Sequence, residues 1–170
     1  MTVPSLPSTQ HDRGASPANA PHTLVVFGLD DRRFALRLAA VERVLPAVEI
    51  VPLPQVPAIV RGVINVEGRI IPVVDIRARF SLPPRALTVS DHLLIAQTRR
   101  RPVALVVDAV IGVTETNEIV ATERFADNAA YIEGVVTLNG DLVVIHDLDT
   151  FLSATESAAL EAALNASTSR

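Results

Sequence analysis

A chain of 170 residues that is 49% hydrophobic holds enough apolar surface for one domain, or for two small lobes sharing a core. It has no cysteine and no lysine, which excludes disulfides, thiolate metal sites, cysteine nucleophiles and the amine of a phosphate loop or Schiff base. The formal net charge of -4 offers none of the basic footprint that nucleic-acid binders carry, so no nucleic-acid partner is expected.

No apolar run reaches the ~18 residues of a membrane span, and no direct membrane insertion is expected. The first 21 residues, MTVPSLPSTQHDRGASPANAP, mix Ser, Thr, Pro, Ala and Asn without period and lack the charged start and apolar core of a secretory signal; they read as a disordered tail. TLVVFGL (Thr23 to Leu29) and RFALRL (Arg33 to Leu38), separated by Asp30-Asp31, predict a hairpin. AAVERVLP follows, with Ala40, Val41, Val44 and Leu45 spaced for one side of a helical turn that Pro46 stops. Pro52, Pro54 and Pro57 make the next stretch an extended connector.

GVINV and RIIPVV are two strands about a Glu67-Gly68 turn, and Pro72 in the second demands a free edge or a bulge at its own position. Asp75 is placed to cap the short helical stretch DIRARFSL, which Pro83-Pro84 end. Three strands come next: DHLLIAQT, RPVALVVDAV (Arg101 to Val110) and GVTETNEIV (Gly112 to Val120), the first two flanking an Arg99-Arg100 corner. After the looser polar ATERFADNAA, YIEGVVTL and DLVVIHDL pair about Asn139-Gly140, the strongest hairpin signal in the chain. A small helix and then a terminal one within 154–170, with Leu160 and Leu164 on one face, complete the reading.

The chain spells one device twice. Gly62, Gly68 and Asp75 recur at the same spacing as Gly134, Gly140 and Asp147. A duplicated hairpin with its cap predicts two similar lobes, mainly β: two compact antiparallel barrels or sheets packed together.

Chemistry is hard to find. His11, His22, His92 and His146 lack metal-ligand spacing, and neither a G-x-S-x-G elbow nor a G-x-x-x-x-G-K-[ST] loop occurs, so no metal and no cofactor is expected. Asp75 and Asp147 share a capping task, and Glu67 and Asp141 sit at hairpin tips where water screens them. Nothing meets the geometric requirements of an enzyme. Strands with free edges and no catalytic set act by holding partners.

The segment LPQVPAIVRGVINVEGRIIPVVDIRARFSLP, Leu53 to Pro83, resembles the CheW family of chemotaxis adaptors, and the similarity extends from about Thr23 to Leu152 through FALRLAAVERV and RPVALVVDAVIGV. The resemblance implies a CheW-like domain over residues 22–153, built as two small five-stranded β-barrels. It further implies a cytoplasmic, non-catalytic scaffold joining the cytoplasmic tip of methyl-accepting chemoreceptors to the regulatory domain of a CheA-type histidine kinase. Carried over by position, the partner-binding residues are Val41, Arg43, Gly62, Asn65, Glu67, Val107 and Asp108; Gly68, Asp75, Gly140 and Asp147 are turns and caps. The sequence departs from the family at Glu67, where arginine is common, and at Arg43, where an acid is common, so the two form a swapped charge pair in this reading. The alternatives are a scaffold of the same fold in a pilus-type motility pathway, or a small hydrolase, which would need Asp75 and Asp147 to converge on one cleft.

Overall fold

The computed structural model describes residues 20–121 and 131–168. Most of the predicted tail and of the polar stretch before Tyr131 lie outside them.

Strands β1 (His22–Leu29) and β2 (Arg32–Arg37) make the expected hairpin, with Phe27 opposite Phe34. The helical turn expected over Ala39 to Pro46 is not there: one 3-10 turn, Leu38–Ala40, leads into β3 (Val41–Pro46). The residues explain the correction. Val41, Arg43 and Leu45 are half-buried while Glu42, Val44 and Pro46 are exposed, a period of two, and pairing with a partner strand outweighs weak helical spacing in so short a segment rich in β-branched residues.

Next come β4 (Val60–Val66) and β5 (Arg69–Val74), then the single-turn helix α1 (Ile76–Arg79), β6 (His92–Gln97) and β7 (Pro102–Val107). The expected strand Arg101 to Val110 breaks at Asp108. There the chain leaves one sheet for the other, because the Asp108 N–H donates to Gly28 O at 3.0 Å and its carboxylate accepts the N–H of Asp30. Strand β8 (Ala109–Thr116) follows, then the two-residue β9 (Val120–Ala121), the hairpin β10 (Ile132–Leu138) and β11 (Asp141–His146), a 3-10 turn at Leu148–Thr150 and helix α2 (Ala154–Thr168).

Two sheets result, ordered β3-β6-β7-β5-β4 and β8-β1-β2-β11-β10-β9. Five strands of the second repeat the five of the first in order; the sixth, β9, stands beside β10 where the first sheet has only the isolated Val51–Val63 bridge beside β4. In both, the second strand of the duplicated hairpin runs parallel to a neighbour, β5 beside β7 and β11 beside β2. Both hairpins carry an irregularity at the same place, Val60/Gly62 and Ile132/Gly134. The caps repeat as well: the Asp75 N–H donates to Ile59 O at 2.8 Å and the Asp147 N–H to Tyr131 O at 2.9 Å. One lobe is continuous along the chain, whereas the other is assembled from β1–β2 and β8–β11. Neither backbone ladder closes on itself, so the lobes are open sheets.

Pro72 was expected at a free edge or a bulge, but β5 lies inside the sheet between β7 and β4 and the hairpin's irregularity falls at Val60/Gly62; the missing N–H is tolerated for another reason. Val63, opposite it, spends both backbone groups on Val51, which leaves Val63 and Pro72 a pair without mutual hydrogen bonds. On its other side β5 meets β7 only at Val73 and Val74.

Each sheet buries both faces, which is why its inner strands read as unbroken apolar runs. Leu24, Val26, Ala35, Val136, Val143 and Ile145 fill one lobe, and Ile64, Ile71, Val73, Leu93 and Ile95 fill the other. The alternate residues Val25, Phe27, Leu29, Phe34, Leu94 and Leu105 face a larger core between the sheets.

Candidate functional site

The β4–β5 tip is a two-residue turn in which Glu67 and Gly68 both have positive φ, 51° and 85°, the pairing that fits the twist of a hairpin. Asn65 Oδ1 accepts the Gly68 N–H at 2.9 Å and fixes the turn. Across the gap, β3 supplies Arg43, whose Nη1 donates to Glu67 Oε1 at 3.3 Å, and Glu42, which accepts from Arg69 at 2.6 Å. Strands β3 and β4 are the two ends of the sheet order, so these four alternating charges draw opposite edges together. Side chains stand where barrel-closing backbone bonds would be. The swapped pair read from sequence is therefore in contact, although Glu67 remains 75% exposed and such pairs contribute only about 0.2–1 kcal/mol each.

The other sequence-nominated residues lie elsewhere. Val41 is half-buried against the core between the lobes. Val107 is wholly buried there and offers a partner no side-chain surface. Gly62, also buried, has φ 147°, and a Cβ on it would stand 2.3 Å from Val51 O. Its task is to admit the Val51 bridge beside β4.

Asp108 belongs to a charged junction between the lobes. Arg77, only 7% exposed at its side chain, donates to both Asp108 oxygens at 2.9 and 2.7 Å and to both Asp30 oxygens at 2.9 and 3.0 Å. Arg85 joins Asp108 to the buried Asp91. Burial by itself would raise the Asp108 carboxyl, but the Asp30 N–H and the two guanidiniums outweigh it and hold the group below the usual carboxylate range. Sequence reasoning missed Arg77, whose acidic partners lie 31 and 47 residues away, and Arg85, which is six residues from Asp91 but also reaches Asp108, 23 residues on.

Gly68 and Gly140 hold the two turns, and the caps do what was expected of them. Asp75 accepts the Arg77 N–H at 2.9 Å and Asp147 the Asp149 N–H at 3.0 Å. Each carboxylate is occupied by its own turn, and among the described residues no group of three His, Asp or Glu is placed to hold a metal ion.

Also missed was a matched pair of exposed aliphatics. Ile70 on β5 is 54% exposed and Leu142 on β11 is 64% exposed, at the same position of the repeated hairpin. Their strands' alternation is broken at the tip, where two successive residues face water in each copy. Edge strand β8 adds exposed Ile111 and Val113. No helix among the described residues is long and apolar enough to cross a membrane.

Two like sheets around a common core, with charge and apolar side chains concentrated at their hairpin ends and edges, define a β-domain equipped at its surface for contacts. Comparison with known proteins agrees: the CheW-like domain matches residues 23–156, and the chain belongs to that family. It is 30% identical over 142 residues to the chemotaxis protein CheW of Rhizobium meliloti, covering 81% of this chain and 92% of that protein. It is 28% identical to the CheW of Thermotoga maritima, covering 74% and 84%. The crystal structure of the scaffolding protein TtCheW from Thermoanaerobacter tengcongensis superposes with a TM-score of 0.74 at 27% identity, covering 81% of this chain and 96% of that one.

Proposed function

We propose that this protein is a cytoplasmic, non-catalytic chemotaxis scaffold that couples the cytoplasmic tip of a chemoreceptor to the regulatory domain of a CheA-type kinase. The observation that carries this reading is the matched exposure of Ile70 and Leu142. A chain that presents the same apolar hairpin end on each lobe is fitted to hold two neighbours at once, and a kinase domain of the same fold could stack on either end. In this reading the receptor meets the strip of Arg43, Asn65 and Glu67 beside Val41, and Gly62, Val107 and Asp108 act by holding the lobes' backbone and core rather than by touching the partner.

The test is a pull-down of the full chain against the regulatory domain of a CheA-type kinase and, separately, a receptor cytoplasmic fragment from the same genome. Ile70→Asp or Leu142→Asp should weaken kinase capture while the melting curve is unchanged, and Glu67→Arg should weaken receptor capture alone. Failure of the unaltered protein to bind any such kinase or receptor would remove the assignment.

A further inference from the structure

The lobes meet through two equivalent junctions that are packed differently: aromatic rings fill the interior of one, whose remaining cavity of about 500 Å³ opens outward beside Phe34, Phe80 and Leu142, whereas the other is hollow between the lobes. At the first, the β1–β2 turn faces α1: Asp30 pairs with Arg77, and behind them Phe34, Phe80 and His146 pack with ring centroids 4.4–5.2 Å apart. At the second, the β6–β7 turn faces the Leu148–Thr150 turn, and Arg99 pairs with Asp149 at 3.4 Å, the same contact with its charges exchanged. Register fixes the correspondence, since Ala35 stands opposite Ile145 as Ala104 stands opposite Val73. Val103 thus occupies the place of Phe34, Val74 that of His146, and Leu152 that of Phe80. Smaller side chains at all three places leave a cavity of about 350 Å³, roofed by Ser157 and Leu160 of α2.

That cavity has an apolar floor and a cationic mouth. Val74, Val103, Leu148 and Phe151 form the floor, and Arg99, Arg100 and Arg101 stand at the rim. Asp149 answers Arg99, and Glu161 answers Arg101 at 3.1 Å. The Arg100 guanidinium has no partner among the described residues, so the mouth carries one unmatched positive charge.

We propose that this cavity binds a small amphipathic carboxylate of the medium-chain fatty-acid class, its apolar body among the floor residues and its head on Arg100. The volume lies at the lower end of the range for small-molecule sites, which suits one short chain and excludes a folded peptide. The exposed Arg100 guanidinium at the lip of an apolar slot offers a carboxylate charge-assisted hydrogen bonds while the slot takes its apolar body. Because both lobes and α2 line the slot, an occupant would also tie them together.

Calorimetric titration and thermal melting of the full chain with decanoate, 1-decanol and acetate test this. Decanoate should bind saturably and raise the melting temperature, decanol should bind about tenfold more weakly for want of the charged head, and acetate should not bind. Arg100→Gln, an exposed change, should bring decanoate down to the decanol level without altering the fold. Val103→Phe should abolish binding of both, and phenylalanine is already what the matching junction carries at Phe34. Absence of saturable decanoate binding overturns the site. Equal decanoate affinity in the unaltered protein and Arg100→Gln overturns the head assignment, and unchanged binding in a folded Val103→Phe variant overturns the location.

Discussion

His146 stands where the other lobe has Val74, buried to 2% exposure among Phe27, Phe34, Phe80 and Phe151, and neither ring nitrogen has a hydrogen-bond partner. Burial pushes its pKa down to about 3, so the folded chain keeps the ring neutral at pH values where the unfolded chain would protonate it. The unfolded state then binds more protons between about pH 3 and pH 6.5. The contribution of this residue to stability is complete above that window and is lost as pH falls through it, with a slope approaching about 1.4 kcal/mol per pH unit. His146→Leu should flatten the pH dependence of urea midpoints between pH 6.5 and 4; an unchanged slope would place the dependence on other groups. Sequence reasoning put His146 on a strand near its cap, which is correct. It had no means to see four aromatic rings around the imidazole, since only Phe151 is near it along the chain.

At the scale of elements, turn chemistry was the most legible feature. Glu67-Gly68 and Asn139-Gly140 announced their hairpins, and Asp75 and Asp147 their caps, because each depends on a few adjacent residues. β3 was misread because its fate rests on pairing with β6, some fifty residues away, and the break at Asp108 because it depends on Gly28. Two predictions belong here. Gly62→Ala should cost about 3 kcal/mol, since its Cβ would stand 2.3 Å from Val51 O at a φ that side chains resist; Gly134→Ala should cost less, about 2 kcal/mol, since it has no such φ, although its Cβ would still meet Ile119 Cγ2 at 2.7 Å and Val120 O at 2.9 Å. Chemical denaturation of both, with equal losses, would contradict the ranking. For the clasp, a double-mutant cycle on Arg43 and Glu67 should return a coupling of about 0.5 kcal/mol, and the doubly exchanged Arg43→Glu/Glu67→Arg variant should recover most of the loss. Additive singles would mean that the contact contributes nothing to closing the sheet.

The whole molecule should unfold as one unit. Its largest core draws on both lobes, and Arg77 spans the junction with bonds to Asp30 and Asp108. Arg77→Met should lower the urea midpoint clearly but by less than the loss of a fully buried ion pair would, because Asp30 and Asp108 are 43% and 25% exposed and Asp108 keeps Arg85. Even so, circular dichroism and Tyr131 fluorescence should report the same midpoint, and separate transitions for the two probes would show lobes that melt alone. The two-lobe plan was visible in the Gly–Gly–Asp repeat. The route by which the chain builds the lobes was not, because nothing local to β1–β2 says that its partner is a hairpin more than ninety residues later.

That route orders events on the ribosome. The continuous lobe, β3 to β7, is complete while the other lobe still lacks β8–β11, so the newborn β1–β2 hairpin waits through roughly a hundred residues of synthesis before β11 arrives to lie beside β2. At elongation rates of about 5–20 residues per second that is about 5–20 s, during which one side of β2 and the faces of Phe27 and Phe34 are left to chaperones or to the half-built interior.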